Sequence, residues 1–226
     1  MEIRFSGAHR SRSGYAHAMR FAPFAHLHTH SDFSLLAATT SVSGMLEKVA
    51  ELRQPAVALT DYGNLFGAIE FYTKAMRLGI KPILGCEMFL CDDISQRISE
   101  GPRAPRFPQI VLLVRNNTGW KNLLKLVSIS YLEGFYYKPR IDYRLLAQHS
   151  EGLIALSSGW NGEIEQALQR GDHDAARQAA LRLRDMFHAH CFFIELQRHG
   201  FAGQEQINRQ LIALAHELDI PLVASN

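Results

Sequence analysis

The chain has 226 residues, 47% of them apolar and 20% charged, with a formal net charge of +2. That length admits one large domain or two small ones, and the composition is that of an ordinary globular protein. No apolar run reaches the ~20 residues of a membrane helix, and the N-terminus lacks the apolar core and cleavage site of a secretory signal. The charge sits at the front, where Arg4, Arg10, Arg12 and Arg20 face Glu2 alone. The remaining body is close to neutral, which argues against a nucleic-acid grip spread over the whole domain. Cys86, Cys91 and Cys191 form neither a CxxC nor an even set, and read as reduced thiols of a cytoplasmic protein.

Residues 1–20 are polar, basic and aperiodic and read as a disordered tail; the folded domain is expected over 21–226. Phe24–His30 is the first expected strand. Ser43 can cap a helix to about Arg53, with Leu46, Val49 and Ala50 on one face. Ala56–Asp61 is a short buried strand. Asn64 then caps a helix in which Leu65, Phe66, Ile69, Tyr72 and Met76 recur at helical spacing, closed by Gly79. Ile83–Leu90 is the third strand, and Asp92–Pro108, with Gly101, Pro102, Pro105 and Pro108, is a surface loop. A strand at Gln109–Arg115 follows, then a helix from Thr118 to about Leu132 and a loop carrying Phe135–Pro139. A short helix capped by Asp142 leads to the strand Leu153–Ser158. Helices at Glu163–Gln169 and Asp172–His188, a strand at Phe192–Gln197, a helix at Gly203–Leu218 and a strand at Pro221–Asn226 end the chain.

Strands alternating with helices predict an α/β fold with a mainly parallel sheet and right-handed crossovers. No GxGxxG or GxxxxGK[ST] follows any strand, so a βα barrel fits better than an open nucleotide-binding sheet. Because the sequence stops on a strand, the barrel is expected to be incomplete.

The chemistry centres on His26-Leu27-His28-Thr29-His30. In an extended strand these three histidines share one face. Such a row reads either as metal ligands or as a solvated, His-rich edge strand. In βα barrels the working residues gather at the carboxyl ends of the strands. Those ends supply His28, His30 and Asp32, then Asp61 and Tyr62, Glu87, Gln109, Ser157-Ser158 and Arg198-His199. A metal site built from His28, His30, Glu87 and His199 is the sharp expectation; ordinary surface residues at Glu87 and His199 are the alternative.

These stretches also carry a resemblance. His26–Ser31 with Phe33–Leu36 resembles the first motif of the polymerase and histidinol phosphatase (PHP) superfamily. Leu59–Gly67, Gly79–Glu87, Asn122–Ser128, Tyr137–Ile141 and Glu195–Gly200 narrow it to the N-terminal PHP domain of bacterial DNA polymerase III alpha subunits. The resemblance spans about residue 21 to the end. It implies a distorted, seven-stranded TIM-like βα barrel, truncated at its C-terminal end, with a further Asp and His ligand and the polymerase domains beyond Asn226.

Carried over position by position, His28, His30, Glu87 and His199 match family ligands. Three positions depart: Ala37, Tyr62 and Gln109 replace an Asp and two His. A multinuclear hydrolytic cluster needs more ligands than remain. The resemblance therefore implies a degenerate site and no catalytic residue in this domain. It leaves room for one residual zinc or manganese ion, while magnesium belongs to the parent polymerase. Its implied role is structural: supporting the polymerase domains of the same chain and docking the proofreading exonuclease subunit. Primed DNA and the sliding clamp are met through the parent chain, without any membrane. Two rival readings are a metal-dependent phosphoesterase or 3′–5′ exonuclease at the barrel mouth, and a free-standing phosphatase of the histidinol-phosphate type.

Other candidates are weaker. Phe135-Tyr136-Tyr137-Lys138 mixes aromatics with a base, as single-strand binders do, but reads as a packed loop ahead of a proline. Arg177, Arg182 and Arg184 share a helix with Asp172, Asp174 and Asp185, a solvated mixed-charge face. Ser157-Ser158 lacks the Gly-x-Ser-x-Gly elbow of a serine hydrolase.

Overall fold

The computed structural model describes residues 24–97 and 106–225. The tail expected over residues 1–20 lies outside the described residues, as does the middle of the Asp92–Pro108 loop. Helix α1 (Val42–Glu51) is capped two residues before the expected Ser43, by Ser41, which is extended and whose Oγ accepts the Gly44 N–H at 3.1 Å. The buried strand β1 (Ala56–Leu59) pairs in parallel with β2 (Lys81–Cys91).

Helix α2 (Ala68–Arg77) starts at Gly67 and not at Asn64. Asn64 instead ties the turn before it, donating to the carbonyls of Phe33 (3.2 Å) and Tyr62 (3.0 Å). The expected apolar spacing is present, yet it faces solvent: Phe66, Ile69, Tyr72 and Met76 are exposed, and Ala68, Phe71 and Ala75 are buried. Small residues let the helix sit close to its neighbours. A Cβ on Gly67 would lie 2.7 Å from the Phe33 ring.

Strand β3 (Gln109–Val114) corrects the expectation of a mainly parallel sheet, for it runs antiparallel to both β2 and β6 (Leu153–Leu156). The cause is local. The expected loop between β2 and β3 supplies no crossover helix among its described residues, so the chain turns back beside the strand it has left. Helix α3 (Asn117–Leu132), capped by Asn116, then returns along the outside of the sheet. The expected Phe135–Pro139 loop is a hairpin of β4 (Phe135–Tyr136) and β5 (Lys138–Asp142), with Tyr137 alone at the tip at φ 58°. Asp142 caps α4 (Tyr143–Gln148) as expected, its carboxylate accepting the Leu145 N–H at 2.8 Å. Helices α5 (Glu163–Gln169), α6 (His173–Met186) and α7 (Gln204–Leu218) and strands β7 (Phe192–Leu196) and β8 (Leu222–Ala224) complete the order.

The strands form one sheet in the order β4-β5-β2-β3-β6-β7-β8, with β1 beside β2. Phe24–His30 is not a regular strand. Only His26 bridges Val57, because threonine hydroxyls intrude on the ladder: Thr29 N–H donates to Thr60 Oγ1 at 3.0 Å. The sheet is nonetheless curled. Leu27 and Ala58 from one end meet Phe193 and Val223 from the other around Val111, Leu113 and Leu156. Backbone pairing does not close a complete barrel among the described residues, so the architecture is α/β with a curled half-barrel. A larger apolar layer joins α3 and α5–α7 to the outer face of the sheet. Among the described residues, no helix is long and apolar enough to cross a membrane.

Candidate metal centre

Two anchors hold the histidine segment. The Ala58 N–H donates to the His26 carbonyl and the Thr60 N–H to the Thr29 carbonyl, both at 2.8 Å. Beyond them the chain turns around Asp61, a buried carboxylate at the exit of β1. It accepts from Ser31 N–H (2.7 Å), Ser31 Oγ (2.7 Å) and Ser34 Oγ (2.6 Å). Asp61 thus fixes the rim without joining the donor cluster.

The period-two spacing delivers His28 and His30 to one carboxylate. Both Nε2 atoms lie 2.7 Å from Glu87 Oε2, and the rings meet edge to face at 5.1 Å. Glu87 comes from the middle of β2 and is 1% exposed. Ser158 Oγ donates to its other oxygen. Ser158 itself sits at φ 71°, a left-handed conformation rare for a side-chain-bearing residue and characteristic of constrained sites.

Behind His28 stands Glu195, wholly buried, with its carboxylate oxygens 2.9 and 3.2 Å from Nδ1. Ser225 Oγ and Gln197 Nε2 donate to the same carboxylate. The Glu195 N–H donates to Ser157 Oγ at 3.0 Å, and Ser157 donates onward to Glu165. His28 is therefore clasped between two carboxylates. Burial disfavours its charged form, but Glu87 and Glu195 outweigh that and raise its pKa well above the usual imidazole value. Burial likewise pushes the Glu87 carboxyl up, yet His28 and His30 overcome it and hold it at about 2. Glu165 behaves oppositely: burial first, then Glu195, push its pKa well up, which favours its neutral form.

The structure leaves other expected residues apart. His26 packs edge to face on Phe24 at 4.9 Å, outside the cluster. His199 is exposed and lies against Phe201 at 5.7 Å. Alternation along β7 ends at Leu196, so Glu195 and Gln197 face the site and His199 turns outward before Gly200. Ala37 offers a methyl group on an exposed turn. Tyr62 stacks flat on His30, 4.2 Å between ring centres and 12° between planes. Gln109 is buried, with an Oε1 that has no partner among the described residues. Sequence reasoning placed Ser158 at a strand end without giving it a role, and missed the roles of Glu195 and Gln197. The one legible signal was Glu195 itself, a carboxylate inside the apolar run Phe192–Leu196.

Chemically, His28, His30 and Glu87 offer two imidazole nitrogens and a carboxylate oxygen, all within 4.8 Å of one another. A carboxylate on the far nitrogen of a ligating imidazole is the usual outer support of a metal site. This donor set fits one divalent ion. Among the described residues the cluster has these three donors; Ala37 and Gln109 add no anionic or imidazole donor to it, and Tyr62 stacks on His30. A family model for the PHP domain matches residues 26–199, more than half of the chain.

The chain belongs to the PHP domain family. DNA polymerase III subunit alpha of Borreliella burgdorferi is 42% identical over 203 residues, which is 90% of this chain and 18% of that protein. The same subunit from Thermus aquaticus is 41% identical over 207 residues, 90% of this chain and 17% of that one. The PHP chain described here thus spans less than a fifth of the length of these curated relatives. Among solved structures, a protein of Bifidobacterium adolescentis that carries the name of a metal-dependent phosphoesterase superposes with a TM-score of 0.53. It covers 89% of this chain and 86% of that one at 12% identity, a likeness of fold alone.

Proposed function

We propose that this PHP domain is the N-terminal, non-hydrolytic scaffold of a replicative DNA polymerase III alpha subunit, with its ion site reduced to one position. The observation that carries the reading is the three-donor cluster on which Tyr62 is stacked, in a chain 42% identical to a polymerase alpha subunit over 90% of its length. The parent chain would join deoxynucleoside triphosphates onto primed DNA, and this domain would brace the polymerase domains and dock a proofreading exonuclease subunit in the cytoplasm. The same reading takes the curled sheet as a distorted seven-stranded barrel. The His28–Glu195 bond across its open side supports that closure.

In this site His28 and His30 would hold a zinc or manganese ion with Glu87, and Glu195 would fix the His28 tautomer. Such an ion supplies Lewis acidity and lowers the pKa of a bound water. Tyr62 keeps its proton, because burial and then Glu87 push its pKa up, so it is a neutral wall and no base. His199 would have to swing inward to add a donor.

Elemental analysis of the purified chain, paired with hydrolysis of a 3′-labelled oligonucleotide, tests the reading. At most one ion per chain and no hydrolysis is expected, in Tyr62→His as well as in the natural sequence. Two or more tightly held ions, with hydrolysis abolished in His30→Ala, would establish the phosphoesterase reading instead.

A further inference from the structure

The Phe135–Lys138 stretch is not a packed loop. Phe135 and Tyr137 are 50% and 56% exposed on the β4–β5 hairpin, and Tyr131, at the end of α3, lies 6.0 Å from the Phe135 ring. Tyr137 is held out at the tip by a single-residue turn in the left-handed region, a strained way to display an aromatic side chain. Lys138 stands beside it.

The same face is basic. Lys121 and Lys125 lie one turn apart on the exposed side of α3, a helix of 16 residues without a carboxylate. Between residues 106 and 140 five exposed cations, Arg106, Arg115, Lys121, Lys125 and Lys138, stand against one carboxylate, Glu133, while the sixth cation, Arg140, is buried on backbone carbonyls; the whole chain of 226 residues carries a net +2. Among the described residues, no carboxylate pairs with Lys121, Lys125 or Lys138, whereas Lys48, Lys74, Arg177, Arg182 and Arg198 are each bridged to one. The near-neutral body therefore hides a local concentration of positive charge.

We propose that the exposed face of α3 and the β4–β5 hairpin bind single-stranded nucleic acid, with Lys121, Lys125 and Lys138 on phosphates and Tyr131, Phe135 and Tyr137 stacking bases. Exposed aromatic faces interleaved with cations suit a strand whose bases are unstacked; a duplex would offer this surface phosphates alone. The patch ends at the ion site. Lys138 Nζ lies 5.4 Å over the Phe89 ring, Phe89 is 6.0 Å from Tyr62, and Tyr62 covers His30. A strand on this surface has one end at the rim. The inference goes beyond the scaffold role and does not rest on any bound ion.

The test is fluorescence anisotropy of a labelled fifteen-residue oligo-dT with the full 226-residue chain in EDTA, across a series of salt concentrations. Saturable binding is expected, with Tyr137→Ala and Phe135→Ala each weakening it about 5-fold or more. Lys121→Gln with Lys125→Gln should flatten the slope of log affinity against log salt by about 1.4, roughly 0.7 per phosphate on a single strand. Lys48→Gln, on α1, should change nothing. All these side chains are exposed, and circular dichroism checks that each variant is folded. Absence of binding overturns the proposal. So does binding that ignores all four substitutions, which would place it on the basic first twenty residues. Equal competition by duplex DNA or polyglutamate, with the aromatic variants unaffected, would reduce the surface to one that reads charge alone and would equally overturn it.

Discussion

His28 takes its character from the two carboxylates that clasp it, and its stability contribution changes with pH in a definite direction. Its pKa lies above the unfolded value of ~6.5, so its contribution is complete below about pH 6.5 and fades as pH rises through the folded value. Glu87, held at about 2, contributes fully above an unfolded value near 4.3 and loses that contribution as pH falls. Urea unfolding in EDTA should therefore show the widest gap between the natural chain and Glu87→Gln from about pH 4.5 to about 6.5. A gap that is flat with pH would refute the pairing. Glu165 has the reverse sign. It must stay protonated in the fold, so stability falls about tenfold in equilibrium constant per pH unit above ~4.3, until the folded value is reached. Glu165→Gln keeps an acceptor for Ser157 and removes that penalty. Its melting temperature should exceed that of the natural chain at pH 8 and converge with it in acid.

At the scale of single elements, α3 shows how packing reverses a propensity. Replacing a helical glycine by alanine ordinarily gains about 1 kcal/mol. Gly119, in the first turn of α3, instead lies against the chain before β6, where a Cβ would sit 1.8 Å from the Gly152 carbonyl oxygen. Gly119→Ala should cost about 1–3 kcal/mol net, read as a lower midpoint in urea at unchanged slope. The same element marks the limits of sequence reading. Its span was legible, as was that of α6, which buries Ala176, Ala180 and Leu183. The α2 stripe of Phe66, Ile69, Tyr72 and Met76 was legible as helix but not as surface, because periodicity gives the angle between side chains and not which side meets a neighbour. The antiparallel course of β3 depends on a loop that simply omits a helix, and no residue within β3 announces it.

At the scale of the whole molecule, the site draws on segments 167 residues apart, as the His28–Glu195 bond shows. Period-two spacing brought His28 and His30 together in the sequence, and the reading of strand ends added Glu87, which the family motif then matched. The outer support, Glu195 and Ser158, depends on how the curled sheet brings its two ends together, which local pattern cannot express. An ion held between two segments, His28 and His30 on one and Glu87 on the other, stabilises only the folded chain. Zinc at a hundredfold excess over its dissociation constant should raise the melting temperature by about 5–10 °C. That shift should vanish in His30→Ala; a rise that survives the substitution would move the ion elsewhere.

Strand β2 has a consequence of its own. It carries Glu87 between β1 on one edge and β3 on the other, pairing Leu84 with Leu59 and Glu87 with Val111. Sliding this strand by a single position would swing Glu87 away from the histidines and present Cys86 or Met88 to them instead. The donor cluster is thus also a proofreading mark on the sheet's own assembly: a misaligned chain would bury an apolar side chain opposite two imidazoles and gain nothing from closing.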